Sequence, residues 1–311
     1  MFIGNRKIVE FFDNAIASGG LAQVYCLVGA EGIGKRTLAN ELAAKLLRVT
    51  PERLSVNPDY YFLGRTVDEK TGKLKKEIVI KQTRELADRL QNRSWLGGYQ
   101  AVVIDDAELI NEEAGNSLLK LLEESDGKRV MFLLTADENA LLPTVRSRCQ
   151  LLNLSPVAEN DIVAGLQALG YGSELARQCG ALAWGRPGRA VALAQDDAAI
   201  KNYFTETGRL EKIVNQPFYV KLAAVEELFG KKDDDAMIKR ERWRAVIQIW
   251  QMQWRQALRR CLGASSDSVL NIANRTAGDI QSIIDDLSVC RELLGENINP
   301  RLLMEETIIK F

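Results

Sequence analysis

The 311-residue chain contains no histidine. Ser-His and Cys-His nucleophilic pairs are excluded, and so is any histidine-ligated metal site. Chemistry here must use carboxylates, lysine, arginine or a nucleotide-bound metal. Cysteine is sparse. Cys26, Cys149, Cys179, Cys261 and Cys290 stand far apart, odd in number and without a C-x-x-C pair, so buried free thiols are the expectation. No run of ~18 or more apolar residues occurs, so no membrane-spanning helix is expected. The first residues, "MFIGNRKIVEFFDNAIASGG", carry Glu10 and Asp13 and lack a signal-peptide core. The cytoplasm is the expected compartment. An excess of charge is missing too: 41 basic residues face 42 acidic ones, a formal net charge of −1. A chain that held DNA alone by counterion release would be basic. DNA contact is therefore expected only as a share within a larger assembly.

What is present is an alternation. Residues 4–18 read as a helix, with Ile8, Phe11, Phe12 and Ala15 at helical spacing and Gly19-Gly20 as the stop. "AQVYCLVG" (22–29) is a continuous apolar run ending in glycine, the pattern of a strand covered on both faces. "KRTLANELAAKLLR" (35–48) is a helix. Residues 59–80 read as two strands joined by a polar turn at Lys70–Lys73. The lysines there, Lys70, Lys73, Lys75 and Lys76, are more simply a solvated hairpin tip than a nucleic-acid contact. Helices follow over 81–94 and 111–125, the second with Asn111 as N-cap. Apolar strands are expected at 100–109, 129–137 and 148–154. Such alternation implies a parallel sheet with helices on both faces, closing near Leu154. Residues 156–199 give short helices, and 200–311 are helical throughout. Breaks fall at Pro217, Lys231–Asp235, Gly263–Ser268 and Asn297–Pro300. Trp243, Trp250 and Trp254 share one helix face, a packing stripe.

Between the first buried strand and its helix lies "GAEGIGKRT" (29–37). Strand, glycine-rich turn and helix is the setting of a phosphate loop, G-x-x-x-x-G-K-[ST]. Gly29, Gly32, Gly34 and Lys35 suit a cradle of backbone N–H groups plus a point charge. The hydroxyl that ligates magnesium is replaced by Arg36, and Thr37 comes one place late, rotated by roughly 100° around the helix. Phosphate binding can survive this; magnesium placement and hydrolysis are expected to suffer. "VVIDDAE" (102–108) ends a strand in an acidic pair. Asp105 fits a metal carboxylate, directly or through water, and Asp106 stands where the catalytic base is usually Glu. Asp106 is one methylene shorter; Glu108 is a candidate to compensate, though two residues on it is expected to point elsewhere. A third stretch, "PTVRSRCQLLNL" (143–154), puts Arg146 and Arg148 ahead of a strand. An exposed arginine there can serve a neighbouring subunit's γ-phosphate.

The loop, then "VVIDDAELINEEAGNSLLKLLEES", then "LLPTVRSRCQ" resemble, in order and spacing, the bacterial clamp-loader branch of the AAA+ ATPases. Ser147–Cys149 is that branch's S-R-C marker. The acidic second motif with "NSLLKLLEE" behind it, and the ending "NINPRLLMEETIIKF", are most similar to its delta-prime members. The resemblance implies an α/β P-loop (AAA+) domain with a parallel sheet over 1–155, a small helical lid over 156–199, and an all-α collar for oligomerisation over 200–311. It implies a subunit of the replicative DNA polymerase III holoenzyme, a nucleotidyltransferase complex. The partners implied are the other subunits of a hetero-pentamer, a sliding clamp and primed DNA. Arg148 matches the trans-acting arginine finger, and Thr135 the first sensor position. Several relatives carry four zinc-binding cysteines after the P-loop helix; this chain has none between Cys26 and Cys149, so no zinc is expected. Where ATPase subunits place a second sensor arginine, Gly188 stands here, with Arg189 adjacent. Arg36, Asp106 and Gly188 together imply little hydrolysis, with ATP or ADP left as an occupant of a degenerate loop. The alternative is an ATP-hydrolysing motor subunit.

Overall fold

The computed structural model describes residues 1–67, 75–90, 93–123, 128–226, 228, 236–263, 270–272, 275–294 and 299–311. Two compact units divide the chain, Met1–Gln195 and Asp196–Phe311.

In the first unit, α1 (Arg6–Ser18) ends at Gly19, whose φ of 69° closes the helix. Then come β1 (Val24–Val28), α2 (Lys35–Leu47), β2 (Tyr60–Leu63), α3 (Ile80–Leu90), β3 (Gln100–Ile104), α4 (Glu112–Glu123), β4 (Arg129–Thr135), α5 (Pro143–Arg146) and β5 (Gln150–Asn153). The strands form one parallel sheet in the order β2-β3-β4-β1-β5. The strands β1, β3 and β4 are buried along their whole length, as their apolar runs demand. Alternate side chains feed two layers. Tyr25, Leu27, Phe132 and Leu134 pack with Phe12, Leu38 and Leu42 of α1 and α2. Cys26, Val102, Ile104 and Met131 pack with Leu86, Leu90, Leu118 and Leu122 of α3 and α4. Phe12, Tyr25 and Phe132 meet with ring centroids 4.7 to 6.0 Å apart, Phe12 edge-on to the other two and Tyr25 stacked with Phe132, geometries aromatic pairs favour.

The order places β1 and β4 side by side at the point where the chain's crossovers change direction. In open α/β sheets ligands bind outside the carboxyl ends of the strands at that point. Residues 29–34 occupy it.

Of the two strands expected within 59–80, only β2 forms among the described residues. Ile78 makes an isolated parallel bridge with Ile110, and the Lys75 N–H bonds the Thr66 carbonyl at 2.9 Å. Lys70 and Lys73 lie outside the described residues. The strand expected to run to residue 109 stops at Ile104, and Ala107–Leu109 form a short 3-10 turn.

The same unit continues through α6 (Glu159–Ala168), α7 (Ser173–Ala183) and α8 (Pro187–Gln195). In the second unit are α9 (Asp197–Ile213), α10 (Phe218–Glu226), α11 (Ala236–Cys261), α12 (Ala277–Leu293) and α13 (Pro300–Ile309). Asp196 caps α9, so this unit opens ahead of residue 200. Trp243, Trp250 and Trp254 are buried. Trp250 and Trp254 pack on Phe311, with centroids 5.5 and 5.6 Å away. Truncating such a side chain costs about 3–5 kcal/mol. Of the five thiols, all free, Cys26, Cys179 and Cys290 are buried as expected. Cys149 is half-buried, and Cys261 is exposed at the end of α11.

Candidate functional site

The loop after β1 is built by glycine. Gly32 and Gly34 have φ of 76° and 104°, conformations that cost a side-chain-bearing residue energy. The Gly29 N–H continues the β1–β4 ladder by donating to the Thr135 carbonyl at 3.1 Å. Lys35 opens α2 and turns its ammonium back on the loop, donating to Gly29 O at 2.6 Å and Ala30 O at 3.4 Å. Burial lowers the Lys35 pKa, while Glu108, Asp105, Glu31 and Asp106 oppose that.

Neighbours close in on the turn. The N–H groups of Gly188 and Arg189, at the start of α8, donate to Gly32 O at 2.8 and 3.3 Å. A Cβ on Gly188 would lie 2.9 Å from that same oxygen, and one on Gly34 would lie 3.0 Å from the Phe2 ring. Gly188 is thus fixed by contact with the loop, a demand invisible along the chain.

Both aspartates face arginines. Arg36 Nη1 is 3.7 Å from Asp105 Oδ2, and its guanidinium lies 4.3 Å from the centre of the Phe62 ring, within cation–π range. Arg65 Nε donates to Asp106 Oδ2 at 2.8 Å. Burial, then the neighbouring Asp106, raises the Asp105 pKa, with Arg36 pulling the other way. Asp106 has a φ of 52°, uncommon for a residue with a side chain. Phe62 and Arg65 carry no motif that sequence reading could find.

Glu108 corrects an expectation. It does not point away: Oε1 accepts from the Ala136 N–H at 3.2 Å. Its Oε2 is buried without a hydrogen-bond partner, and it is the foremost of the carboxylates acting on Lys35. The 3-10 turn brings it round. Thr135 is buried; its hydroxyl donates to Asp137 O at 2.9 Å and accepts from the Asp137 N–H at 3.2 Å. Thr37 is exposed on α2.

The loop backbone and Lys35 could hold a phosphate. A magnesium ion beside it would meet the Arg36 guanidinium in place of a hydroxyl, with that guanidinium 3.7 Å from the Asp105 carboxylate.

The arginines before β5 lie elsewhere. Arg146 is fastened to Glu138 at 2.8 Å and to Asn139 at 3.1 Å. Arg148 bonds Glu123 through Nε at 2.8 Å and also through Nη2, and Thr144 O through Nη1 at 2.9 Å. In the β1–β5 register Gln150 pairs with Tyr25 and Asn153 with Val28. Arg148, five residues before Asn153, therefore lies at the end of the sheet away from the loop, roughly 17 Å along the strand direction at ~3.3 Å per residue.

A parallel sheet with this order, a glycine loop at its turning point and a helical segment on the loop define a P-loop domain of the AAA+ type. A family profile described as "DNA polymerase III, delta subunit" matches residues 4–158. DNA polymerase III subunit delta' of Pseudomonas aeruginosa is 36% identical over 148 residues, 42% of this chain and 43% of that one. The Escherichia coli subunit delta' is 28% identical over 265 residues, 82% of this chain and 74% of that one. The match thus spans less than half of the first relative and about three quarters of the second. A DNA polymerase III gamma subunit-related protein from Thermotoga maritima shares the fold, with a TM-score of 0.50 at 18% identity over 96% of this chain and 97% of that one. The chain belongs to the clamp-loader family of DNA polymerase III, in its delta-prime branch. Among the described residues no helix is long and apolar enough to cross a membrane.

Proposed function

We propose that this chain works in a clamp loader as a fixed partner that lends Arg148 to a neighbouring subunit's ATP site and hydrolyses little ATP itself. The observation that carries this reading is the placement of two arginines in one domain. Arg36 faces Asp105 at 3.7 Å beside the loop, where a metal would be needed. Arg148 stands before β5, at the end of the sheet that its own loop does not use. A guanidinium so placed cannot serve the nucleotide of its own chain, and an arginine supplied in trans stabilises the charge of a transferring phosphoryl group. Asp105 and Asp106, each facing an arginine, serve structure rather than hydrolysis on this reading. Thr135 and Thr37 keep only positional roles near the loop. The loop of Gly29, Gly32, Gly34 and Lys35 retains an affinity for ATP or ADP phosphates with weak magnesium dependence. The helices α6 to α8 act as the lid, and Asp196–Phe311 as the collar that joins the other subunits of the pentamer. The assembly places the sliding clamp on primed DNA.

The test is reconstitution of the loader with Arg148→Ala. The expected result is normal assembly with turnover lowered by about three orders of magnitude or more, the usual share of an arginine finger. Full turnover in the variant loader contradicts the reading.

A further inference from the structure

The geometry points to Glu123 as the residue that retains Arg148 on its own chain until a neighbour's phosphate competes for it. This rests on the reading of Arg148 as a finger delivered in trans. Glu123 is a positioning residue in this account, not a catalytic one.

A guanidinium has five N–H donors on three nitrogens. In Arg148 all three nitrogens are engaged within the chain. Nε and Nη2 share Glu123 Oε1, with the Nε bond at 2.8 Å, and Nη1 takes Thr144 O at 2.9 Å and Ser147 Oγ at 3.3 Å. The Nε–Nη2 edge, one of the two that can grip a phosphate bidentately, is thus held by a carboxylate. Glu123 is the last residue of α4 and lies 25 positions before its partner. The pairing is therefore made by the fold, not by a local turn. The side chains of Arg148 and Glu123 are 34% and 55% exposed. Ion pairs with that much water around them are weak and salt-screened. The contact is strong enough to bias where the arginine rests and weak enough for a bidentate phosphate to displace it. Arg146 differs: its partners Glu138 and Asn139 lie within eight positions, which fixes it to the β4–α5 connection.

Two readouts separate this inference from the finger reading. In the isolated full chain, the Arg148 Nε–H resonance should be distinct from that of exposed arginines. It should move to the exposed position in both Glu123→Gln and Glu123→Ala, with Arg146 unmoved. An Arg148 signal in the unaltered chain that already matches exposed arginines overturns the retention while leaving the finger intact. In the reconstituted loader, Glu123→Gln should raise kcat/KM for ATP about twofold to fivefold, the range an exposed pair allows. On an Arg148→Ala background the same change should do nothing. Unchanged or reduced turnover in Glu123→Gln overturns the inference, as does a gain that persists without Arg148. If Arg148→Ala alone leaves turnover intact, the finger reading fails and the retention falls with it.

Discussion

Arg36 and Arg148 flank the same pair of strands, one at each end. Arg36 follows the loop beyond the carboxyl end of β1. It lies over Phe62 and faces Asp105 at 3.7 Å, with 59% of its side chain still exposed. Arg148 precedes the amino end of β5, with water on one side and Glu123 on the other. On the proposed reading, the difference teaches that the fold can keep a phosphate loop while moving its useful cation elsewhere. Three groups turn the loop inward on itself: Lys35 on Gly29 O, Arg36 toward Asp105, and the start of α8 on Gly32 O. At the other end, a carboxylate, a carbonyl and a hydroxyl at the surface retain Arg148 among the described residues.

The inward side of the comparison can be broken most strongly at Gly188. Adding a methyl group there brings it 2.9 Å from Gly32 O and forces α8 off the loop. Gly188→Ala should destabilise the chain by about 1–3 kcal/mol, the range for overpacking, as read from denaturant unfolding. No change in midpoint would show that the helix and loop are not pressed together.

A smaller effect is expected at Arg36. Arg36→Thr restores the hydroxyl beside Lys35 and releases Asp105. Magnesium-dependent nucleotide affinity of the isolated chain, measured calorimetrically, should tighten by roughly tenfold, equivalent to ~1.4 kcal/mol. If affinity and magnesium dependence stay as they were, Arg36 is not what keeps the ion out.

The smallest effect is at Asp105, whose carboxyl is held above its ordinary value of 3.8, chiefly by burial. An acid raised in this way contributes stability that is full below its unfolded pKa and is lost as pH rises through its folded one. At neutral pH the buried charge is a cost that Arg36 only partly offsets. Asp105→Asn should therefore be neutral or stabilising at pH 7, by less than about 1 kcal/mol. The gain should fade as pH falls toward 4. Melting curves across that range check the sign, and a clear loss of stability at pH 7 would mean that the ion pair outweighs the burial.

Much of this architecture was legible along the chain. The run Val24–Val28, the glycines at 32 and 34 and the helix from Lys35 follow from local rules. So does the tryptophan stripe, because its spacing alone selects one helix face. What stayed hidden was tertiary. Nothing in "VVIDDAE" signals that a 3-10 turn brings Glu108 back to Ala136. Gly188 read as a missing arginine, whereas the fold also needs it bare against Gly32. The pairing of Glu123 with Arg148, 25 positions later, is made by the fold and carries no sequence signal. The second strand expected before residue 80 is not found at 75–80, where Ile78 has only a single bridge to offer.

The central claim is that this chain contributes its arginine and not its loop. The most direct measurement sets Lys35→Ala beside Arg148→Ala in the same reconstituted clamp loader and compares ATP turnover. Loss of the loop lysine should leave turnover within about twofold, while loss of Arg148 should lower it by ~10³ or more. The reverse pattern, turnover abolished by Lys35→Ala and untouched by Arg148→Ala, would make this subunit a motor in its own right and contradict the account.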